Sequence, residues 1–312
     1  MNIIDSIVQG IIQGLTEFLP VSSSGHLSLS QHILGVEMNG SLFFNVMLHL
    51  GTLVAVLAVY YKLVWRLICA FCKLVKDIFT GKFRWSTMDY DRRLVLMLII
   101  GLLPLLCFFI PIPGTGHNVK DYFELWATDS DIIIEGVCFL ITGVLLTLGI
   151  RRAKTTGRRY SSRLGRVAKE KGRMEYTVGD ALSVGFMQGF AALPGVSRSG
   201  STLSVALMRG INKQRALDYS FVLGIPAVLA ASLLELKDAV SSGATFETLP
   251  ILAGVISAAV VGFLAIKLFK WLLATDKLSI FAWYTLILGA AVTVIGIIEK
   301  IQGTNLFTGK AL

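Results

Sequence analysis

Arg198 and Glu17 stand in otherwise apolar stretches of this chain, and neither is a residue that a simple packing kink would use. Arg198 is permanently charged, and its planar donor fork suits the oxygens of a phosphate group. Around it Ser197, Ser199, Gly200, Ser201 and Thr202 offer hydroxyls and turn N–H groups that would nest an anion. Glu17 follows Gln13 at i, i+4, so both fall on one helix face, where carboxylate and amide oxygens could ligate Mg²⁺ or Ca²⁺. Histidine is the side chain whose ordinary pKa lies near neutral, so His26 could serve as acid, base or nucleophile beside the hydroxyls of Ser22, Ser23 and Ser24. Together these residues are chemistry for an oxyanion, with a dication bridging carboxylate and phosphate.

The two polar stretches are copies of one another. Gln13-Gly14, Val21-Ser22, Ser24 and Gly25 recur as Gln188-Gly189, Val196-Ser197, Ser199 and Gly200, all at one offset (188 − 13 = 175; 200 − 25 = 175). Pro20 and Pro194 punctuate them. A repeat of this kind predicts two structurally equivalent half-sites.

Composition puts both copies in a membrane. With 54% hydrophobic and 16% charged residues and a mean hydropathy of +0.70, the 312-residue chain has more apolar surface than one soluble core could hide. Six segments approach the roughly 20 apolar residues that cross a bilayer: 42–61, 94–111, 132–150, 219–236, 251–268 and 278–298. Residues 1–18 lack the basic start of a cleavable signal and are expected to stay. Cys69, Cys72, Cys107 and Cys138 suggest ordinary apolar packing, not a disulfide framework or metal site.

Charge sets the orientation. The basic stretches 62–93 and 151–173 are expected inside, and the acidic connectors 113–131 and 238–247 outside. The net charge of +9 is therefore topological, and no nucleic-acid partner is implied. This parity leaves residues 1–41 and 177–212 each entering and leaving on one face, as re-entrant hairpins from opposite sides. The expected fold is an all-α polytopic membrane protein: a first repeat (1–150), a basic cytoplasmic loop (151–175) and an inverted second repeat (176–312). Each half holds one re-entrant helical hairpin and three spans, and the two Ser-Gly loops meet near mid-membrane, where irregular backbone needs a polar cavity. His32, His49 and His117 rank below His26, with His49 a potential supporting donor. Asp180, Asp218 and Glu235 are candidates for helix ends or supporting contacts. Inverted repeats with broken helices also build carriers, so a transporter or lipid flippase for an anionic substrate is the alternative.

The paired motifs, Gln13-x-x-x-Glu17 with 19–26 and the stretch 194–202, resemble the bacterial undecaprenyl-diphosphate phosphatases of the bacitracin-resistance type. The likeness extends over the whole chain, through Leu48-His49-Leu50-Gly51-Thr52 and Asp218-Tyr219-Ser220-Phe221 to Pro226. It implies hydrolysis of the C55 lipid diphosphate to the monophosphate carrier for cell-wall synthesis. It also implies a divalent cation and a plasma-membrane site open to the outer face. By the same resemblance Glu17 and Gln13 belong to the metal-linked motif, Ser23 and His26 to the catalytic loop, and Ser197, Arg198 and Thr202 to the phosphate-binding loop. Gln13 stands where some members carry Glu, which leaves one carboxylate here. Ser23, His26 and water all remain open as the nucleophile. The implied partners are the polyprenyl diphosphate and membrane lipids, with a homodimer as an open option.

Overall fold

The computed structural model describes residues 3–35, 41–119, 122, 132–164, 172–193, 195–241 and 248–311. Pro194, the acidic residues Asp121, Glu124, Asp129 and Asp131, the basic residues Arg166, Lys169 and Lys171, and most of 238–247 lie outside these. Among the described residues the long elements are ten α-helices. A short pair, α1 (Ile3–Phe18) and α2 (Ser23–Leu34), precedes α3 (Ser41–Phe79), α4 (Tyr90–Leu106) and α5 (Ile133–Leu164). A second short pair, α6 (Val178–Phe190) and α7 (Arg198–Met208), precedes α8 (Lys213–Ser241), α9 (Thr248–Ala274) and α10 (Ser279–Gln302).

Six helices are long and apolar enough to cross a bilayer: Phe43–Phe79, Tyr90–Phe109, Ile133–Thr155, Lys213–Leu233, Thr248–Ala274 and Ser279–Gln302. Each contains most of one predicted span. Their outward faces stay apolar, with Val54, Leu264 and Ile287 more than half exposed, as lipid-facing helices require. Two differ from expectation in length. α3 runs on through Lys62, Arg66 and Lys73, and α5 runs past Ile150 to Leu164, so much of both basic stretches is helix and not loop. Lys, Arg and Ala are good helix formers, and nothing forces the helix to stop where the hydrocarbon does.

The short pairs cannot span. At 16, 12, 13 and 11 residues, α1, α2, α6 and α7 are about 16–24 Å long at 1.5 Å per residue, below the roughly 30 Å of hydrocarbon. Small residues seat them against long helices. A methyl group at Gly10 of α1 would lie 2.4 Å from the Gly254 carbonyl oxygen of α9, and one at Gly185 of α6 would lie 1.9 Å from the Gly101 carbonyl oxygen of α4. Gly10 and Gly185 differ by 175, so equivalent glycines let equivalent helices touch backbone to backbone.

The two loops are built alike. Ser22 caps α2 by accepting from Gly25 N at 3.3 Å, and Ser197 caps α7 by accepting from Gly200 N at 3.0 Å. Ser22 and Ser24 hydroxyls lie 3.4 Å apart, Ser197 and Ser199 hydroxyls 3.3 Å apart. One contrast matters. Ser22 takes a φ of 73°, which an L side chain rarely adopts, whereas Ser197 sits at −71°. Such backbone costs about 1–3 kcal/mol and is typical of functional turns.

The loops also touch each other about this offset. Gly195 N donates to Ser24 Oγ at 3.4 Å; its counterpart, Pro20, has no N–H, and Ser199 Oγ donates to the Leu19 carbonyl at 3.2 Å instead. Ser197 N donates to Thr142 Oγ1 at 3.0 Å, fixing the second loop to α5. At the start of α6, outside the six spans, Thr177 and Asp180 form a capping box, and Asp180 receives Arg173 at 2.8 Å and Arg209 at 2.7 Å. Burial alone would raise this carboxyl, but Arg173, Thr177 and Arg209 outweigh it and hold it well below the usual carboxylate range.

Candidate active site

Where the loops meet, α1 brings its last turn against the start of α7. Glu17 is buried and accepts three hydrogen bonds: Ser23 Oγ at 2.7 Å, Gln13 Nε2 at 2.9 Å, and the Arg198 guanidinium on its other oxygen. His49 of α3 completes the ring, with Nδ1 3.5 Å from Glu17 Oε2 and 2.9 Å from Gln13 Nε2. Glu17 and Arg198 lie 181 residues apart and come one from each copy of the repeat. A carboxylate and a guanidinium can share a buried site because each satisfies the other's charge.

Gln13 places its amide N–H₂ toward Glu17, and its Oε1 is buried with no hydrogen-bond partner. An orphaned carbonyl-type oxygen beside a carboxylate is what a hard cation would fill. Among the described residues no three His, Cys, Asp or Glu side chains cluster to hold a metal. A cation here would therefore draw on Glu17, Gln13 and the ligand's own oxygens, a hard donor set that suits Mg²⁺ or Ca²⁺.

Arg198 reaches its place because α8 is cut away at Gly224, where a side-chain carbon would stand 3.3 Å from the guanidinium carbon. The cleft around it is lined by Glu17, Thr52, Arg198, Ser199, Ser220 and Phe221, among others, and holds about 20 Å³. That is room for one water. The Arg198–Glu17 pair fills the space that an anion would take.

The other predicted residues fall around this centre. Ser197 and Thr202 are buried: the first caps α7, and the second donates to the Arg198 carbonyl at 2.8 Å and contacts Ser220. They hold the loop in shape and do not line the cleft; Ser23 does not line it either, and meets it through its bond to Glu17. Ser199 lines it with its side chain tied to Leu19, and Gly200 donates its N–H to the Ser197 cap. Ser201 is buried within α7. His26 points elsewhere. Its Nδ1 lies 2.7 Å from the Ser22 carbonyl and so carries the proton, and Nε2 accepts from the Tyr284 hydroxyl at 2.7 Å. Its ring stacks on Tyr284 and meets Phe139 edge-on. His32 pairs with Glu299 at 2.9 Å, near the chain's end.

Four contributors were not singled out from sequence: Gly224, Tyr284, Thr142 and Glu135, the last accepting from Ser28 Oγ at 2.9 Å. A buried acid inside an apolar span was a signal for Glu135, and the Gly224–Pro226 interruption was one for Gly224. Tyr284 and Thr142 carry no such mark.

Comparison with known proteins points the same way. The family model described as "Bacitracin resistance protein BacA" matches residues 6–291. The chain is 37% identical over 293 residues to the protein named undecaprenyl-diphosphatase of Alkaliphilus metalliredigens, covering 94% of this chain and 98% of the relative. The protein of that name from Desulfatibacillum aliphaticivorans is 38% identical over 302 residues (94% and 99% covered). That of Carboxydothermus hydrogenoformans is 37% identical over 299 residues (95% and 98%).

Proposed function

The chain belongs to the bacitracin resistance protein BacA family, and on that premise we propose that it hydrolyses undecaprenyl diphosphate to undecaprenyl phosphate and inorganic phosphate. One observation carries the assignment to this site. A serine hydroxyl donates to a buried carboxylate whose second oxygen accepts from an arginine guanidinium. That is a hydroxyl with its base in place, next to a cation for phosphate.

The reaction follows from those contacts. The terminal phosphate enters the cleft, and Arg198 exchanges its bond to Glu17 for bonds to phosphate oxygens. Ser23 Oγ attacks the terminal phosphorus while its proton passes to Glu17 Oε2. The bond from that phosphorus to the bridging oxygen breaks, and the lipid monophosphate leaves with the electron pair. Water then attacks the phosphoserine, Glu17 returns its proton to Ser23 Oγ, and the proton from water leaves on inorganic phosphate. A dication held by Glu17 and Gln13 would neutralise charge on the diphosphate. His26 is assigned a positioning role, since Tyr284 would have to release Nε2 before that nitrogen could reach phosphorus. Ser22, the strained residue, is held by His26.

Purified protein in detergent is expected to release inorganic phosphate from a long-chain polyprenyl diphosphate. A carrier has no turnover without two compartments, so the absence of release would favour the transporter reading.

The site is further assigned to the middle of the membrane, between inverted repeats and open to the outer face. Supporting this are the 175-residue offset shared by caps, glycine contacts and loop-to-loop bonds, and the odd number of spans in each half. In a cysteine-free background, Cys at Asn118 is expected to react with an impermeant thiol reagent in intact cells. Cys at Ser162 is expected to stay unlabelled, and Cys at Gly303 to follow Asn118. Equal behaviour of Gly303 and Ser162 would make the span count of the second half even and remove the inversion.

A further inference from the structure

A second cavity, of about 310 Å³, lies along the same α3–α8 seam. α3 gives Thr52, Leu53 and Val56 to the active-site cleft, and Val59, Tyr60, Leu63 and Arg66 to this one. α8 gives Ser220, Phe221 and Gly224 to the first, and Gln214, Arg215 and Asp218 to the second. Aromatic rings part them. Phe221, in the wall of the first cleft, meets Phe18 with centroids 5.5 Å apart and Tyr60, in the wall of the second, at 5.8 Å.

Four cations border the second cavity, Lys62, Arg66, Arg215 and Lys270, against one lining carboxylate, Asp218. The charges are arranged for a ligand more than for structure. Arg66 reaches Asp91 at 3.6 Å with its side chain more than half exposed, and Gln214 donates to Asp218 at 2.9 Å. Arg215 instead lies 4.7 Å from the centre of the Tyr90 ring and donates to its hydroxyl at 3.1 Å. Lys270 Nζ sits 3.8 Å from the centre of the buried Tyr60 ring. Cations that merely mark the inner face of a membrane protein extend their side chains into water. Arg215 and Lys270 are turned inward onto ring faces and share one facing carboxylate, Asp218, so the positive charge there exceeds the negative charge that meets it.

We propose that this cavity binds a phosphate monoester dianion, as a second anion site at the opposite end of the seam from the Arg198 loop. With Arg66 paired to Asp91, the Arg215 fork and the ammonium groups of Lys62 and Lys270 against Asp218 still leave two positive charges in surplus, which matches a compact, doubly charged oxyanion. Free phosphate and the headgroup of a lipid monophosphate share that chemistry. The proposal stands apart from the hydrolase reading, because it concerns binding at residues outside the Glu17–Ser23–Arg198 cluster.

Calorimetric titration of the purified full-length protein with inorganic phosphate, and separately with farnesyl phosphate, tests it. The wild-type protein is expected to show two sites. Arg215→Gln/Lys270→Gln is expected to keep one and to weaken the other on the order of tenfold or more, while phosphatase turnover stays within about twofold. Loss seen with both probes assigns the site to the phosphate group itself, and loss seen with farnesyl phosphate alone assigns it to a lipid headgroup. Should the double variant fail to fold, Lys270→Gln alone is expected to weaken the same site. A single site in the wild-type protein, or two sites unaltered by these changes, overturns the proposal.

Discussion

Arg198→Lys is expected to lower phosphate release on the order of 10²-fold or more, with the protein still folded. Lysine keeps a positive charge but loses the planar fork that can hold two phosphate oxygens at once, and preorganised donors of this kind carry about 10²–10³ in rate. Arg198→Ala is expected to do worse for a second reason. It leaves Glu17 buried without its cation, a defect that typically costs about 3–5 kcal/mol of stability. The double change Glu17→Gln/Arg198→Ala removes both charges, so its thermal stability in detergent should recover while activity does not. Near-normal turnover in Arg198→Ala would remove Arg198 from the site.

Glu17→Gln is expected to have an effect as large. The amide keeps the shape of the side chain but cannot take the Ser23 proton, and general-base losses of this kind run about 10²–10⁴-fold. It is also a poorer ligand for a hard dication, so the metal concentration needed for half-maximal activity should rise together with the loss. The converse change, Gln13→Glu, should be tolerated and should tighten the metal response. Loss of activity in Glu17→Gln with an unchanged metal titration would leave proton transfer as its role and remove the metal from this position.

The six spans were legible in the sequence because they rest on a signal that needs no periodicity, apolar runs of about twenty residues. The meeting of Glu17 and Arg198, 181 residues apart, was legible through the repeat, which marks their two loops as equivalent; that they bond directly to each other was not. What the repeat could not reveal is where the copies diverge. Ser23 and Arg198 occupy equivalent positions (23 + 175 = 198), as do Glu17 and Ala192, so the site is built from one acid and one base that have no twins. Side-chain direction was equally hidden. Ser197, Ser199 and Thr202 read as phosphate ligands by type, yet capping and loop contacts take up their hydroxyls. His26 read as part of the cluster by proximity in sequence, but one helical turn past Ser23 its ring faces α5 and α10. Tyr284, 258 residues away, occupies its Nε2.

Ser23, bonded to one oxygen of Glu17 while Arg198 holds the other, is the residue expected to take the terminal phosphoryl group. Polyprenyl diphosphate labelled with ³²P in the terminal phosphate, mixed with the protein and quenched within one turnover, tests this directly. Label is expected on the peptide that carries Ser23 and is expected to be absent from Ser23→Ala, which should also lose steady-state activity. Full activity in Ser23→Ala, with no label on the wild-type protein at any time, would contradict it and leave water as the nucleophile.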